Sequence, residues 1–380
     1  MGKVKSIMLN VWFILISSIG GYLFTLAGMS IGWMVGTLLF AGILSFWRPA
    51  FLKLGSGQKG AKNYWLLIGQ FILGIELGQK INVSVLSTFK ENWLTIAIML
   101  LLSIIFSLLS GVVLWKLGKT DMLTSFFGTT PGGLSAMSGI AAEAGANTAV
   151  VSIIQLIRVF LVVGTIPMMV SFLSPGHSAQ TAAMTEPASA VHQGMATQLT
   201  LTFILVLAAL AGRYAAKLLR FPAPWLLGSM LGVAVIKPLT EALAGAPVFP
   251  WWPHWFIILS QIFIGACIGS RLNKGMFKGL ARVFIVGLLG SICFIITMLG
   301  YAYLVSKVTG MNLITSILAF SPGGIAEMAT TSVVLHADST FVVAVQVLRV
   351  MTICLILPPL FGFLTHRIDK KKHATSYHVS

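Results

Sequence analysis

Charge is what this sequence has least of. Only 9% of its 380 residues are Asp, Glu, Lys or Arg, and just 9 are acidic, whereas a soluble domain is about a quarter charged. That scarcity excludes a globule with its surface in water. Cysteine is sparse too. Cys267, Cys293 and Cys354 all sit in apolar runs and none forms a CxxC pair, which argues against a disulfide framework or a thiolate zinc site and leaves them as packing residues. The histidines (His177, His192, His254, His336, His366, His373 and His378) show no ligand spacing inside an expected helix. HExxH, GxSxG and Walker sequences are missing. No enzyme activity, cofactor or metal is therefore expected. Nor is there a recognition helix, RRM or zinc finger, so nucleic acid is not an expected partner.

What the chain does have is apolar length. Apolar residues make up 57%, in runs of about 17–25 residues, each long enough to cross a hydrocarbon core of about 30 Å. The expectation is an all-α integral membrane protein. The net charge of +16 then reads as an orientation signal, because Lys and Arg concentrate in cytoplasmic loops. Lys3, Lys5 and the apolar run from Ile7 would pass for a signal peptide, except that this run has a partner later in the chain.

The partner belongs to an internal repeat. IGQFILGIELGQKIN (68–82) matches LSQIFIGACIGSRLN (259–273). LTSFFGTTPGGLSAM (123–137) matches LITSILAFSPGGIAEM (313–328), so that Pro131, Gly132 and Gly133 fall on Pro322, Gly323 and Gly324. VSIIQLIRVFLVVGTIP (151–167) matches VAVQVLRVMTICLILP (343–358), with Gln155 and Arg158 on Gln346 and Arg349. The offset is 191 throughout. Gly20, Tyr22, Trp33 and Gly36 match Gly212, Tyr214, Trp225 and Gly228 at 192. A linker rich in Ala, Ser, Pro and Gly (172–195), without Lys or Arg, divides the chain into a first transmembrane repeat (1–171) and a second (196–380) that ends in a basic tail.

Each half holds six apolar elements, the fifth broken by Pro-Gly-Gly. If all six cross, the halves are parallel; if the fifth dips in and returns, they are inverted. With a cytoplasmic N-terminus, the inverted arrangement leaves only Lys80, Lys90, Lys237 and Lys307 outside, and Arg158 and Arg349 within the membrane. The parallel arrangement moves Arg213, Lys217, Arg220, Arg271, Lys274, Lys278 and Arg282 outside, against the positive-inside rule. The expectation is two inverted-topology repeats with about ten transmembrane helices, two broken or re-entrant elements and an extracytoplasmic linker. The compartment expected is the bacterial cytoplasmic (inner) membrane, with both termini cytoplasmic.

Three features carry candidate chemistry. The first is the pair of Pro-Gly-Gly turns. Unwound backbone at membrane depth is tolerated only where protein or a water-filled cavity covers it, and helix ends there bind ions. Thr129, Thr130, Pro131, Gly132, Gly133 and Ser135, with Ser321, Pro322, Gly323 and Gly324, are the candidate contacts, and Thr330 and Thr331 add hydroxyls nearby. A plain proline kink is the alternative. The second is Arg158 and Arg349, in mid-run with Gln155 and Gln346 one turn earlier. A buried guanidinium either attracts an anion or locks the fold by pairing with a carboxylate, for which Glu143, Glu327 and Asp338 are available. The third is the set of mismatches between halves: Glu327 opposite Ala136, Asp338 opposite Asn147, and Glu76 opposite Cys267. Glu143, Glu327 and Asp338 are the candidates for a coupling proton or Na+. The glycine pairs Gly74–Gly78 and Gly265–Gly269 read as helix packing. Trp251, Trp252 and Trp255 read as an interfacial belt.

The doubled (T/S)PGG(L/I)xxM turn, each followed by QxxRV, resembles the AbrB-duplication family of bacterial membrane proteins over nearly the whole chain. That resemblance implies a membrane protein whose relatives carry the labels regulator of gene expression or putative ammonia monooxygenase. Clustered imidazoles for a copper site are absent from the sequence. The function expected is a secondary transporter of a small organic anion, working by alternating access at a midplane site between the two breaks. The alternative is a membrane-embedded sensor that influences gene expression without transport. The expected partners are lipid, the anion and a coupling H+ or Na+, with homo-oligomerisation left open.

Overall fold

The computed structural model describes residues 3–27, 29, 31–47, 61–81, 90–132, 137, 141, 144–173, 194–219, 221, 223–244, 249–272, 281–353 and 356. Every regular element among them is a helix. They are α1 (Lys3–Leu26), α2 (Gly32–Trp47), α3 (Asn63–Lys80), α4 (Trp93–Gly118), α5 (Met122–Thr129), α6 (Thr148–Leu173), α7 (Met195–Leu218), α8 (Pro224–Ala244), α9 (Trp255–Gly269), α10 (Ala281–Thr309), α11 (Leu313–Phe320), α12 (Ile325–Val334) and α13 (Ser339–Ile353). Six segments are long and apolar enough to cross a membrane: Ile7–Leu26, Trp93–Gly118, Thr148–Val170, Met195–Leu218, Pro224–Ala244 and Ala281–Thr309. The apolar helices α2, α9, α12 and α13 are shorter.

The long helices are amphipathic in the sense opposite to a soluble protein. On α4 the exposed stripe is Leu94, Ile98, Leu101, Ile105, Leu109, Val113 and Leu117, while Ser103, Ser107, Gly111 and Gly118 are buried. On α10, Ile285, Leu289, Ile292 and Ile296 are exposed while Gly287, Ser291 and Ala302 are buried. The exposed stripes are all large apolar groups, whereas the buried faces mix small residues with larger ones such as Met99, Leu114, Phe294 and Met298. That arrangement suits lipid, where close backbone approach rather than water exclusion drives helix association, and it would aggregate in water.

The described residues fall into two compact units, each drawing on both halves of the sequence. The first comprises Met1–Phe89, Val163–Lys274 and Ile325–Val343; the second comprises Lys90–Val162, Gly275–Gly324 and Ala344–Ser380.

In the first unit, glycines set the crossings. A Cβ on Gly20 would meet Gly36 O at 2.5 Å, and one on Gly228 would meet Gly212 O at 2.6 Å, so α1 crosses α2 as α7 crosses α8. Gly74 and Gly78 of α3 press on Leu226 O and Met230 O of α8, each at 2.5 Å from a notional Cβ. Gly265 of α9 presses on Met34 O of α2 at 2.7 Å, and Gly269 on Leu38 O. The matched GxxxG pairs thus pack on the second helix of the opposite half, at corresponding positions. Between α3 and α9, Arg271 Nη2 donates to Asn63 Oδ1 at 3.2 Å, and a Cβ on Gly69 would lie 3.1 Å from Ser260 O. The beginning of one helix meets the end of the other, so they run antiparallel.

The second unit repeats that relation. Near one end of the α4–α10 pair, Arg282 Nε donates to Leu117 O at 2.6 Å. Midway, Phe106 stacks on Phe294 with ring centroids 5.2 Å apart. Near the other end, Tyr301 Oη donates to Thr95 O. These helices also correspond by sequence offset and also run antiparallel. The short helix α5 packs along α4, where a Cβ on Gly111 would strike the Phe126 ring, and Phe126 and Phe127 form a buried cluster with Met137, Ala141, Val151 and Ile353.

Candidate functional site: two capped helix breaks

Both halves build the break with the same local chemistry. An Asx side chain starts each short helix: Asp121 Oδ2 accepts from Thr124 N at 2.8 Å, and Asn312 Oδ1 accepts from Ile314 N at 2.8 Å, the usual N-cap arrangement. A proline ends each one. The residue before a proline is pushed out of the helical region by the pyrrolidine ring. Thr130 before Pro131 is accordingly extended (φ −71°, ψ 125°), as is Ser321 before Pro322 (φ −64°, ψ 141°). The helices that carry the Gln–Arg pairs, α6 and α13, each begin on another Asx residue, where Asn147 Oδ1 accepts from Ala149 N at 3.1 Å and Asp338 Oδ1 accepts from Phe341 N at 2.9 Å.

A helix end leaves about four carbonyls without intrahelical donors, and at membrane depth water does not supply them. The Gln–Arg pair does. Gln155 Nε2 donates to Phe127 O at 2.9 Å and to Thr130 O at 2.6 Å. Arg158 donates from Nη1 to Thr129 O at 3.1 Å and from Nη2 to Gln155 Oε1 at 2.6 Å. In the other half, Gln346 Nε2 donates to Leu318 O, Ala319 O and Ser321 O at 2.8, 3.3 and 3.0 Å. Arg349 donates from Nη1 to Ser321 O at 2.6 Å, and from Nη2 to Gly323 O at 2.9 Å and Gln346 Oε1 at 2.6 Å. The Gln oxygen accepts from the guanidinium while its nitrogen feeds the carbonyls, so each pair is one relay of donors.

The hydroxyls close on the same backbone. Thr130 Oγ1 donates to Phe126 O at 2.7 Å and lies 3.0 Å from Ser107 Oγ. Thr129 Oγ1 donates to Ser107 O at 3.1 Å and Ser125 O at 3.0 Å, and Ser321 Oγ donates to Ile317 O.

Arg158 is 4% exposed and Arg349 1%. Among the described residues neither makes an ion pair, and the Nε–H of each lacks a hydrogen-bond partner. The two guanidinium groups lie within electrostatic reach of one another. A small cavity of about 20 Å³ abuts Arg158, Thr129, Gly128, Gly287 and Ser291, room for about one water.

The structure thus brings Thr129, Thr130, Gln155 and Arg158 together, and likewise Ser321, Gly323, Gln346 and Arg349. Pro131 and Gly132, and Pro322 and Gly324, form the breaks themselves. Gly133, Ser135 and Glu143 lie outside the described residues. Glu327 is buried in the first turn of α12, within the charge field of Arg271, and Asp338 caps α13; both belong to the first unit. Glu76 pairs with Lys80 at 2.9 Å. Ser107 and the small residues of α10 were not singled out from sequence. Their signal was there, as small residues recurring every third or fourth position in long apolar helices.

Comparison with known proteins agrees with the family resemblance read from the sequence. The chain is 51% identical over 377 residues to "Uncharacterized protein YhjN" of Bacillus subtilis (strain 168), covering 99% of this chain and 98% of that one. It is 27% identical over 353 residues to "Putative regulator AbrB" of Escherichia coli (strain K12), covering 89% and 97%. A family described as "Transition state regulatory protein AbrB" matches residues 33–365, and the chain belongs to this AbrB family.

Proposed function

We propose that this protein is a secondary transporter of a small organic anion, working by alternating access around the two helix breaks. One observation carries the reading. Two buried guanidinium groups face the C-terminal ends of α5 and α11 with no carboxylate partner among the described residues. A helix C-terminus carries about half a negative elementary charge. Two such ends offset about half of the two positive charges and leave roughly one uncompensated, a match for a monovalent anion. The unpartnered Nε–H groups supply donors for it. Buried charge of this kind in a membrane helix is costly, and it marks ion and substrate pathways.

The finer topology belongs to the same proposal. About ten crossings are arranged as two inverted repeats, each with one broken or re-entrant Pro-Gly-Gly element. The antiparallel packing of α4 on α10 and of α3 on α9 supports inversion, because corresponding helices of parallel repeats would run the same way. The membrane is the bacterial cytoplasmic one and both termini face the cytoplasm. Glu143, Glu327 and Asp338 are the coupling candidates for H+ or Na+. Turnover of the anion, nucleic-acid binding and a cofactor have no place in the scheme, and a homo-oligomer is compatible with it.

The sensor reading draws on the printed name of the Escherichia coli relative, "Putative regulator AbrB". A transporter that alters a cytoplasmic metabolite would change expression without touching DNA. The test is electrical. Proteoliposomes adsorbed on a solid-supported membrane receive concentration jumps of small carboxylates and sulfonates, with and without a proton or Na+ gradient. A transient current for one class, absent in protein-free liposomes, is the expected result. Silence across the panel and under both gradients would remove the transporter reading in favour of the sensor.

A further inference from the structure

The second unit contains another cavity, of about 430 Å³, at the end of α4 where the chain turns into α5. Lys119, Asp121, Asn147 and Arg282 form its polar wall and Val150 and Val283 part of its apolar wall. Its charges are two basic groups and one acid. The acid's Oδ2 is engaged by Thr124 N, and Arg282 Nε by Leu117 O. The small cavity beside Arg158 is lined from the same three helices, about two turns farther along each. On α6 the series runs Val150, Ile154, Arg158; on α10 it runs Val283, Gly287, Gly290; on α4 it runs Gly118, Leu114, Ser110. Eight residues of α6 span about 12 Å.

Between the two cavities lies a plug. Leu114, Val150, Ile154 and Val283 form one buried apolar cluster, each at most 4% exposed. Val150 and Val283 line the outer cavity while Leu114 and Ile154 line the inner one, so the cluster is walled by a cavity on each side. Past it the lining turns small. Gly290 has nothing within 4 Å of a notional Cβ, and Gly287 has only ordinary contact with Ile154 at 3.6 Å.

We propose that the groove between α4, α6 and α10 is the passage by which the small anion reaches Arg158 from the α4–α5 end. Leu114, Val150, Ile154 and Val283 are its hydrophobic gate. The proposal rests on the transporter reading. Lys119 and Arg282 at the mouth concentrate anions, and the four-residue apolar constriction blocks them by excluding the water that would solvate them. Opening needs only that α10 separate from α6 by about a side chain's width along this groove, where Gly287 already lets the two helices approach.

The test is thiol accessibility in proteoliposomes. In a background of Cys267→Ala, Cys293→Ala and Cys354→Ala, Gly290→Cys reports the inner cavity and Lys119→Cys the outer one. A membrane-impermeant methanethiosulfonate is added to the face carrying the α4–α5 turn. With the gate widened by Leu114→Ala and Ile154→Ala, or by the milder Val283→Ala, Gly290→Cys should react at least about tenfold faster than with the native gate, and Lys119→Cys should react at an unchanged rate. Equal Gly290→Cys rates in native and widened backgrounds overturn the gate. The readout needs no substrate, so that failure removes the passage and leaves the arginine site standing, whereas an electrically silent protein with a working gate removes transport alone.

Discussion

Gln346→Leu is the substitution that separates capping from charge. Leucine nearly matches glutamine in volume, so the change removes one donor nitrogen and one acceptor oxygen with little change in packing. The amide nitrogen serves Leu318 O, Ala319 O and Ser321 O. Ser321 O keeps Arg349 Nη1, and Arg349 Nη2 keeps Gly323 O. Two carbonyls are therefore orphaned at a buried helix end. An unsatisfied buried group costs about 1–3 kcal/mol, and polar pairs within bilayers average below about 1 kcal/mol because the unfolded reference also finds partners. The expected loss is about 2 kcal/mol, measured by denaturant-induced unfolding of detergent-purified protein. Gln155→Leu removes the amide donor from Phe127 O and Thr130 O, but Thr130 O keeps Gly132 N, so this variant should lose less, about 1 kcal/mol. Gln79→Leu, whose amide makes only a 3.4 Å bond within its own helix, should change stability by less than about 0.5 kcal/mol. A Gln346→Leu loss no larger than that of Gln79→Leu would refute the capping argument.

Three further outcomes follow from packing and topology. Gly265→Val and Gly74→Val should each destabilise by about 1–3 kcal/mol, because the new Cβ would sit against Met34 O or Leu226 O, while Gly290→Ala, with open space around it, should be near neutral in the same unfolding assay. Cysteine pairs at Thr95 and Tyr301 should cross-link, whereas a pair at Thr95 and Val286, which parallel packing of α4 and α10 would join, should not; the reverse on a gel would overturn the antiparallel pairing. Thr120→Cys and Met311→Cys occupy corresponding turns of the two halves. Inverted repeats predict labelling by an impermeant thiol reagent from opposite faces, and labelling from the same face would contradict inversion.

Much of this was legible in the sequence because the repeat doubles every signal. A lone Pro-Gly-Gly is weak, but two at one offset, each followed by QxxRV, drew attention to the Pro-Gly-Gly segments and to Arg158 and Arg349, both of which are buried. The GxxxG pairs were legible as packing surfaces. Their partners were not, because Gly74 meets α8 and Gly265 meets α2, and a contact across halves leaves no local pattern. The destination of the guanidinium groups was equally hidden. A carboxylate or an anion was weighed for Arg158 and Arg349; both turn to carbonyls some 28 residues earlier in the chain, a pairing fixed only once α6 and α13 dock on the short helices. The grouping of segments from both halves into each compact unit is likewise a property of packing, invisible to periodicity.

The central claim is that the two arginines hold a net positive charge for a monovalent anion. Thermal-shift measurements on purified protein against small carboxylates and sulfonates test it most directly, because a bound ligand raises the melting temperature by mass action. Replacing arginine by lysine keeps the charge and loses the planar fork; replacing it by glutamine keeps hydrogen-bonding capacity and loses the charge. The account predicts a stabilising anion for the native protein, about tenfold weaker binding in Arg158→Lys and Arg349→Lys, and no detectable stabilisation in Arg158→Gln/Arg349→Gln. An anion that stabilises the double glutamine variant as much as the native protein would contradict it.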